Sequence, residues 1–135
     1  MNFAVGLLFV TSISWLGGAT AQSQGCIELP APNAYKAGKV RDANQWQNPY
    51  LVVYPKWVEL ITGLAREKEK VPLSGLEKAL RSLPATDWPY GRIVAVQEAS
   101  IRSGSKLDDK LISQNETKVQ RILTKLCVKI SRWPA

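Results

Sequence analysis

Apolar, β-branched and aromatic residues are dense over residues 50–62, and their pattern predicts a β-hairpin. The stretch "YLVVYPKWVELI" is interrupted by Pro55, which lacks the N–H that a central ladder needs. We therefore predict strands at residues 50–54 and 57–62, joined by a turn at Pro55 and Lys56. A helix with Pro55 in its first turn stays open as the alternative. Its support is the helical spacing of Trp57, Leu60, Ile61 and Leu64.

The stretch "VPLSGLEKALRSLP" has the period of an amphipathic helix. Ser74 and Glu77 have the spacing of a capping box, and Pro84 ends the pattern. The spacing predicts a helix over about residues 75–83. Its apolar stripe consists of Leu76, Leu80 and Leu83.

A longer helix is predicted over about residues 106–126, with Ser105 and Asp108 as its cap. Asn115 lies on the apolar stripe of this helix, and we expect its side chain to bond the backbone of a neighbouring loop. The residues expected to face inward are Leu111, Val119, Ile122, Leu123 and Leu126.

Two more strands are predicted on either side of the longer helix. "RIVAVQE" is apolar without alternation, which indicates a central strand covered on both faces. "VKISRW" places Val128 and Ile130 on one face of a last strand. The charges of residues 66–70 alternate in sign and predict only a solvated edge. The predicted order is β-β-α-β-α-β, an α/β (α+β two-layer) fold with a small sheet.

The N-terminus has the pattern of a secretory signal peptide. No charged side chain precedes Glu28, and an apolar run over residues 3–16 is followed by A-x-A at residues 19–21. We predict cleavage after residue 21 and export to the periplasm or the medium. The run is shorter than the roughly 18 residues of a membrane span. A membrane anchor and a lipoprotein at Cys26 stay open as alternatives.

The rest of the chain is expected to hold one domain. Residues 22–49 are rich in Pro, Ala, Asn and Lys without a sustained period, which predicts an irregular N-terminal arm packed in part through Tyr35 and Trp46. Residues 50–135 are expected to form the single α/β domain. An even number of cysteines in an exported chain predicts a disulfide between Cys26 and Cys127.

The order of "VPLSGLEKAL", "IVAVQ" and "ILTKLCVKI" resembles the soluble periplasmic domain of the ExbD/TolR family. The resemblance covers roughly residues 50–133 and implies the fold and a periplasmic interaction role. In that family a membrane segment carries an Asp that serves an ion-driven motor. Residues 3–21 contain no acidic residue, so the resemblance does not extend to a motor role.

The chain has no His, which excludes Ser-His-Asp and Cys-His catalysis and zinc sites built on His. Neither a P-loop nor a dinucleotide fingerprint occurs. A glycosidase would need two carboxylates at a fixed separation. The candidate pairs combine Glu98 with Asp87, Asp108 or Asp109. We expect no metal and no cofactor.

Two groups of residues are candidates for binding. Just after the strand "IVAVQ", polar residues form a possible rim for an anion, because ligands tend to bind at the carboxyl ends of strands and a helix N-terminus favours anions. The rim consists of Glu98, Arg102, Ser103 and Ser105. An ordinary loop with a Ser cap is the alternative. The possible aromatic contact surface consists of Trp57, Trp88, Tyr90 and Trp133, and its alternative is packing in the core.

These features predict a non-catalytic interaction or structural module of the cell envelope. Its partner would be an envelope protein, contacted through a sheet edge or through basic, aromatic-bearing loops. The net charge of +7 supports an alternative, binding of an anionic cell-wall polymer, polysaccharide or lipid. A hydrolase using Glu98 is the second alternative. No nucleic acid is expected as a partner, and after cleavage the chain is not expected to be an integral membrane protein.

Overall fold

The computed structural model describes residues 25–100 and 105–133, so the predicted signal peptide lies outside the described residues. The strands are β1 (Tyr50–Val53), β2 (Val58–Thr62), β3 (Glu67–Val71), β4 (Ile93–Glu98) and β5 (Lys129–Arg132). The helices are α1 (Ala34–Gly38), α2 (Leu73–Arg81) and α3 (Lys106–Lys125), and 3-10 turns lie at Ala43–Gln45 and Ala85–Asp87. None of the helices in these two ranges has the length and apolar character to cross a bilayer.

The five strands form one mixed sheet in the order β3-β2-β1-β4-β5. β1 is antiparallel to β2 and parallel to β4, and β5 is parallel to β4. The predicted hairpin is confirmed, because Val53 pairs with Val58 and Pro55 lies in the turn, outside the ladder. The α/β (α+β) fold class is confirmed as well.

β3 is the strand that the sequence pattern did not predict. Its five residues pair with β2 along their full length, so the predicted order is corrected to β-β-β-α-β-α-β. Only Val71 of this strand is buried, so the strand has no apolar period. The ladder with β2 holds it, and its alternating charges are typical of an edge strand that resists pairing with another chain.

α2 and α3 cover one face of the sheet, here called the helix side. The apolar stripe of each helix packs on inward side chains of the strands in one core. Its strand residues include Leu51, Val53, Leu60, Val94 and Val96. Its helix residues include Leu76, Leu80, Ile112, Val119 and Leu123. α2 begins and ends two residues earlier than predicted, and α3 matches its prediction within one residue.

The inward face of α3 was predicted correctly except at one position. Val119, Leu123 and Leu126 are buried, and Ile122 packs against the core. Leu111 is only half-buried, whereas its neighbour Ile112 is buried. The stripe therefore follows positions 112, 115, 119, 123 and 126, which a straight helix aligns better than a stripe that starts at 111.

The two predicted helix caps had different outcomes. Ser105 is the N-cap of α3, and its Oγ accepts a hydrogen bond from the N–H of Asp108 at 3.3 Å, as predicted. The capping box at Ser74 is wrong, because α2 begins at Leu73 with Pro72 as its N-cap and without a side-chain bond. Pro72 is extended (φ −68°, ψ 151°), so the helix starts early and Ser74 lies inside its first turn.

Glu77, the other half of the predicted capping box, joins the two long helices. Its carboxylate lies 3.2 Å from Nε of Arg81 and 3.0 Å from Nζ of Lys125, near the end of α3. Hydrogen bonds from Lys125 and Arg81 lower the pKa of Glu77. Arg81 also donates to the carbonyl of Gly25 at 2.9 Å, so the same cluster holds the start of the arm.

The other face of the sheet, here called the arm side, is covered by the arm. Trp46 packs with residues of β1, β2 and β4 in a second core, and Ala37, Val40 and Ala43 pack at its edge. β4 is therefore buried on both faces, as its continuous apolar run predicted. The expected packing of Trp46 is confirmed. The expected packing of Tyr35 is wrong, because this side chain is 73% exposed.

Polar bonds fasten the arm to the sheet. Nδ2 of Asn48 donates to the carbonyls of Gly91 and Ile93 at 2.8 and 2.7 Å, and its Oδ1 accepts from the N–H of Tyr90 at 2.8 Å. The buried amide is thereby satisfied at both ends. Arg66 donates to the carbonyl of Ala43 at 3.1 Å.

The predicted disulfide between Cys26 and Cys127 is present, with the two Cα atoms 5.0 Å apart. It lies beside a backbone hydrogen bond from the N–H of Ile27 to the carbonyl of Leu126, 3.1 Å long. Ile27 enters the helix-side core. The arm is thus held at its start by a covalent bond and at its end by Asn48.

Cys127 also terminates α3 in a conformation that favours glycine. Its φ is 61°, and the N–H of Val128 bonds the carbonyl of Leu123 at 2.9 Å. Together with the bond from the N–H of Cys127 to the carbonyl of Thr124, this is a Schellman motif. The cysteine accepts the left-handed conformation at a position where its sulfur reaches Cys26.

This backbone conformation predicts an effect that is separate from the disulfide. In a Cys26→Ala background, Cys127→Gly should be about 1 kcal/mol more stable than Cys127→Ala, because glycine adopts a positive φ without a Cβ clash. Urea unfolding of the two double variants measures the difference. Equal stabilities, or a more stable alanine variant, would contradict the Schellman assignment.

Gly91 is the position where the arm approaches the sheet most closely. A Cβ there would lie 2.3 Å from the carbonyl oxygen of Ala31, and φ is 77°. Gly91→Ala should therefore lower the free energy of unfolding by at least about 2 kcal/mol. Gly38→Ala is the matched control, since the Cβ that it adds has no other atom within 4 Å. Thermal unfolding of both variants gives the comparison, and equal effects would show that the contact is not tight.

Candidate functional site

The predicted anion rim is placed only in part. Glu98 is exposed at the carboxyl end of β4, and Ser105 is engaged as the N-cap of α3. Arg102 and Ser103 lie outside the described residues. The bond of Ser105 to the helix is what an ordinary cap does. The anion rim therefore stays a prediction.

One of the carboxylate pairs proposed for a hydrolase, Glu98 with Asp87, is separated by the topology. Asp87 lies in the 3-10 turn before β4, whereas Glu98 is the last residue of that strand. A six-residue strand is roughly 20 Å long, which exceeds the roughly 10 Å limit for paired catalytic carboxylates. Asp108 and Asp109 lie in the first turn of α3. Within the described ranges no three acidic, His or Cys side chains are close enough together to hold a metal ion.

Two of the four predicted surface aromatics are core residues. Trp88 is 3% exposed and belongs to the helix-side core, and Tyr90 is 7% exposed and belongs to the arm-side core. Tyr90 packs edge-on against Trp46 with ring centroids 5.0 Å apart. Its hydroxyl accepts from the N–H of Gln47 at 3.3 Å. The expected contact surface is wrong for these two residues, because the arm encloses Tyr90.

Trp57 and Trp133 are partly exposed, and both lie on the arm side of the sheet. Tyr54 stacks on Trp57 with centroids 5.1 Å apart, and Nζ of Lys70 lies 4.5 Å from the centre of the Trp57 ring. Trp133 packs edge-on against Trp46 at 6.3 Å. Of the predicted aromatic surface, Trp57 and Trp133 are therefore partly exposed, in two separate groups at the margin of the arm.

Coverage of the arm side decreases towards the turn between β1 and β2. Tyr50, Ile61 and Ala95 are buried, whereas the residues next along the strands are partly exposed. We call this less covered region the open half. It consists of Val52, Tyr54, Trp57, Glu59, Gln97 and Trp133.

Sequence reasoning missed most of the open half. Tyr54 and Val52 were assigned to a strand but not to a face. The signal that was present is alternation, since Tyr50, Val52 and Tyr54 must share one face of β1. The partners of that face on β2 and β4 follow from the register, which the sequence did not specify.

The turn that carries Tyr54 and Trp57 is held from the helix side. Nδ2 of Asn115 donates to the carbonyls of Tyr54 and Pro55 at 2.9 and 2.8 Å, as the sequence predicted for this amide. The N–H of Tyr54 bonds the carbonyl of Trp57 at 2.9 Å. The two aromatic rings are therefore presented on a fixed turn.

Tyr50 supports the centre of the same face. Burial raises the pKa of its hydroxyl, which the charge of nearby Arg66 opposes. The guanidinium of Arg66 lies 5.7 Å from the centre of the Tyr50 ring. The hydroxyl is therefore protonated at neutral pH and donates to Oε1 of Gln97. This bond orients a polar side chain of the open half.

Loss of the Asn115 amide should release this turn. Asn115→Leu keeps the side chain large but leaves two carbonyls without their donor, so the free energy of unfolding should fall by about 1–3 kcal/mol. The indole ring of Trp57 should become more accessible to a fluorescence quencher. Gln114→Leu, on the exposed neighbouring position, is the control. Unchanged stability of Asn115→Leu would contradict the anchoring role.

Comparison with known proteins identifies no relative of this chain. No protein-family model, no curated protein and no solved structure matches the chain. The resemblance to the ExbD/TolR family therefore stays an expectation based on the order of its elements.

Proposed function

We propose that the chain is a non-catalytic interaction module of the cell envelope and that it contacts its partner through the open half. The observation that supports this most directly is the partial exposure of Trp57, Tyr54 and Trp133 on one face of the sheet. Trp, Tyr and Arg are enriched among the hot spots of protein interfaces. Here a rigid sheet and a fixed turn present two of those residue types, so little order must be gained on binding.

The chemistry of the surface supports binding rather than catalysis. The open half contains one carboxylate, Glu59, beside an amide, aromatic rings and Val52. A glycosidase needs two carboxylates at a fixed separation, and Asp87 and Glu98 are at opposite ends of β4. The proposed role is therefore attachment to another molecule.

The proposed location is the periplasm or the exterior of the cell. The disulfide between Cys26 and Cys127 supports an oxidising compartment, because such bonds persist there and are rare in the cytosol. The predicted signal sequence over residues 1–21 points to the same route. The disulfide and the predicted signal sequence support this location whatever the partner is.

A capture experiment tests the proposed function. The chain, tagged at its C-terminus, is used to capture proteins from envelope extract at low and high salt. We expect a discrete protein that persists at high salt, because burial of aromatic surface is not screened by ions. Trp57→Ala should reduce the captured amount at least about tenfold, as truncation of a hot spot does.

Leu107→Ala is the matched control, because Leu107 is an exposed apolar residue on α3, away from the open half. Circular dichroism establishes that both variants are folded. Equal capture by the two variants would refute contact through the open half. Capture that disappears entirely at high salt would refute an interface built on aromatic burial.

A further inference from the structure

The charges of the molecule are segregated across the sheet. Seven basic side chains lie on the arm, against it or at arm-side strand positions, where the acidic residues are Asp42 and Glu59, and Asp87 lines a cavity with Gln47 of the arm. Most of the excess positive charge in the described ranges therefore lies on one side. The basic residues of the arm side are Lys36, Lys39, Arg41, Arg66, Lys68, Lys70 and Lys129.

Folding produces this segregation from a sequence without a basic block. Residues 36–41 of the arm supply three exposed cations, because the arm turns Ala37 and Val40 towards the sheet. β3 alternates Lys and Glu, and its register with β2 puts Lys68 opposite the arm-side residue Ile61. The glutamates of β3 consequently point to the helix side.

Large apolar side chains project from the same basic surface. The exposed large apolar residues in the described ranges are Tyr35, Leu64 and Leu107, with 73%, 84% and 64% exposure. Tyr35 lies on α1, among the arm cations, and Nζ of Lys39 is 4.1 Å from its ring centre. Leu64 lies in the turn between β2 and β3, where it lines a cavity with Gln47 of the arm and with Asp87.

We propose that the arm side rests on an anionic lipid bilayer. The cations would lie at the headgroups, and Tyr35 and Leu64 would enter the boundary with the acyl chains. Cations with projecting apolar residues fit a bilayer because an anionic polysaccharide or nucleic acid would leave those two side chains in water. Tyrosine is also suited to the headgroup level, since its ring is apolar and its hydroxyl is polar.

This inference rests on the proposed function in one respect, because it uses the same side of the sheet for contact. The inference adds that the surface facing this side of the sheet is an anionic lipid bilayer. Trp57 and Trp133 are at the margin of the arm and would be near the headgroups. A protein captured through the open half would then be one that is held at the membrane.

Sedimentation with vesicles tests the bilayer proposal. The C-terminally tagged chain is mixed with vesicles of phosphatidylcholine alone, or of equal parts phosphatidylcholine and phosphatidylglycerol. We expect binding to the anionic vesicles only, with an affinity that falls as salt is raised. Binding to neither kind of vesicle, or equal binding to both, would overturn the proposal.

Charge reversal on each side of the sheet distinguishes binding through the arm-side cations from attraction by the net charge of the whole chain. Lys36→Glu with Lys39→Glu and Arg41→Glu should weaken vesicle binding by at least about 100-fold, because each cation near an anionic surface contributes about fivefold. The matched control reverses three exposed cations of α3 and changes the net charge equally. It consists of Lys110→Glu, Lys118→Glu and Arg121→Glu. Equal losses in both triple variants would overturn the assignment to the arm side.

Apolar insertion is tested by a second matched set. Tyr35→Ser with Leu64→Ser should reduce the binding that remains at high salt, whereas Leu107→Ser on the helix side should not. Heparin and single-stranded DNA serve as competitors. Binding of these polymers with no binding to anionic vesicles would overturn the bilayer proposal in favour of a polymer ligand.

The two proposals fail separately. If vesicle binding is absent while a salt-resistant protein is still captured through Trp57, the bilayer proposal is overturned and the proposed function stands. If vesicles bind through the arm cations while no protein is captured, the bilayer proposal is supported and the protein interface at the open half is refuted. Intrinsic fluorescence of the Trp residues during vesicle titration supplies the independent reading of their contact with lipid.

Discussion

The structure depends on the need to cover both faces of two central strands. β1 and β4 are parallel neighbours, and their apolar side chains point to both faces. The two long helices can cover only one of these faces, because both cross on the same side of the sheet. The N-terminal arm must cover the other face, and its one large apolar residue there is Trp46. The arm is therefore a third layer of the fold rather than an appendage.

Fixing an arm with so little apolar surface requires other bonds. The disulfide secures one end and the buried amide of Asn48 secures the other. Gly91 lets the arm pass at a distance that a side chain would block. Cys127 has a left-handed backbone where glycine is usual, which joins the end of α3 to the same anchoring system. Strained or special positions thus cluster where the arm is fastened.

The arm also creates the surface on which both proposals rest. Because it covers the sheet only in part, Trp57 and Trp133 stay partly exposed at its margin. Because its inner residues are apolar and its outer residues are basic, it places Lys36, Lys39 and Arg41 on one side of the molecule. The same short segment of the arm therefore supplies apolar side chains to the arm-side core and basic side chains to the outer surface.

The elements whose burial shows in their own local pattern could be predicted from the amino-acid sequence. The hairpin, β4, the long helix with its Ser105 cap and the bonding of Asn115 were predicted from spacing and composition, because local period reports local burial. Four features follow only from the packing of distant segments: β3 forms, α2 starts at Leu73, Trp88 and Tyr90 are core residues, and most of the cations share one face. Those features depend on contacts distant in the chain, such as the 43-residue separation of Asn48 and Gly91, and a local pattern carries no information about such pairs.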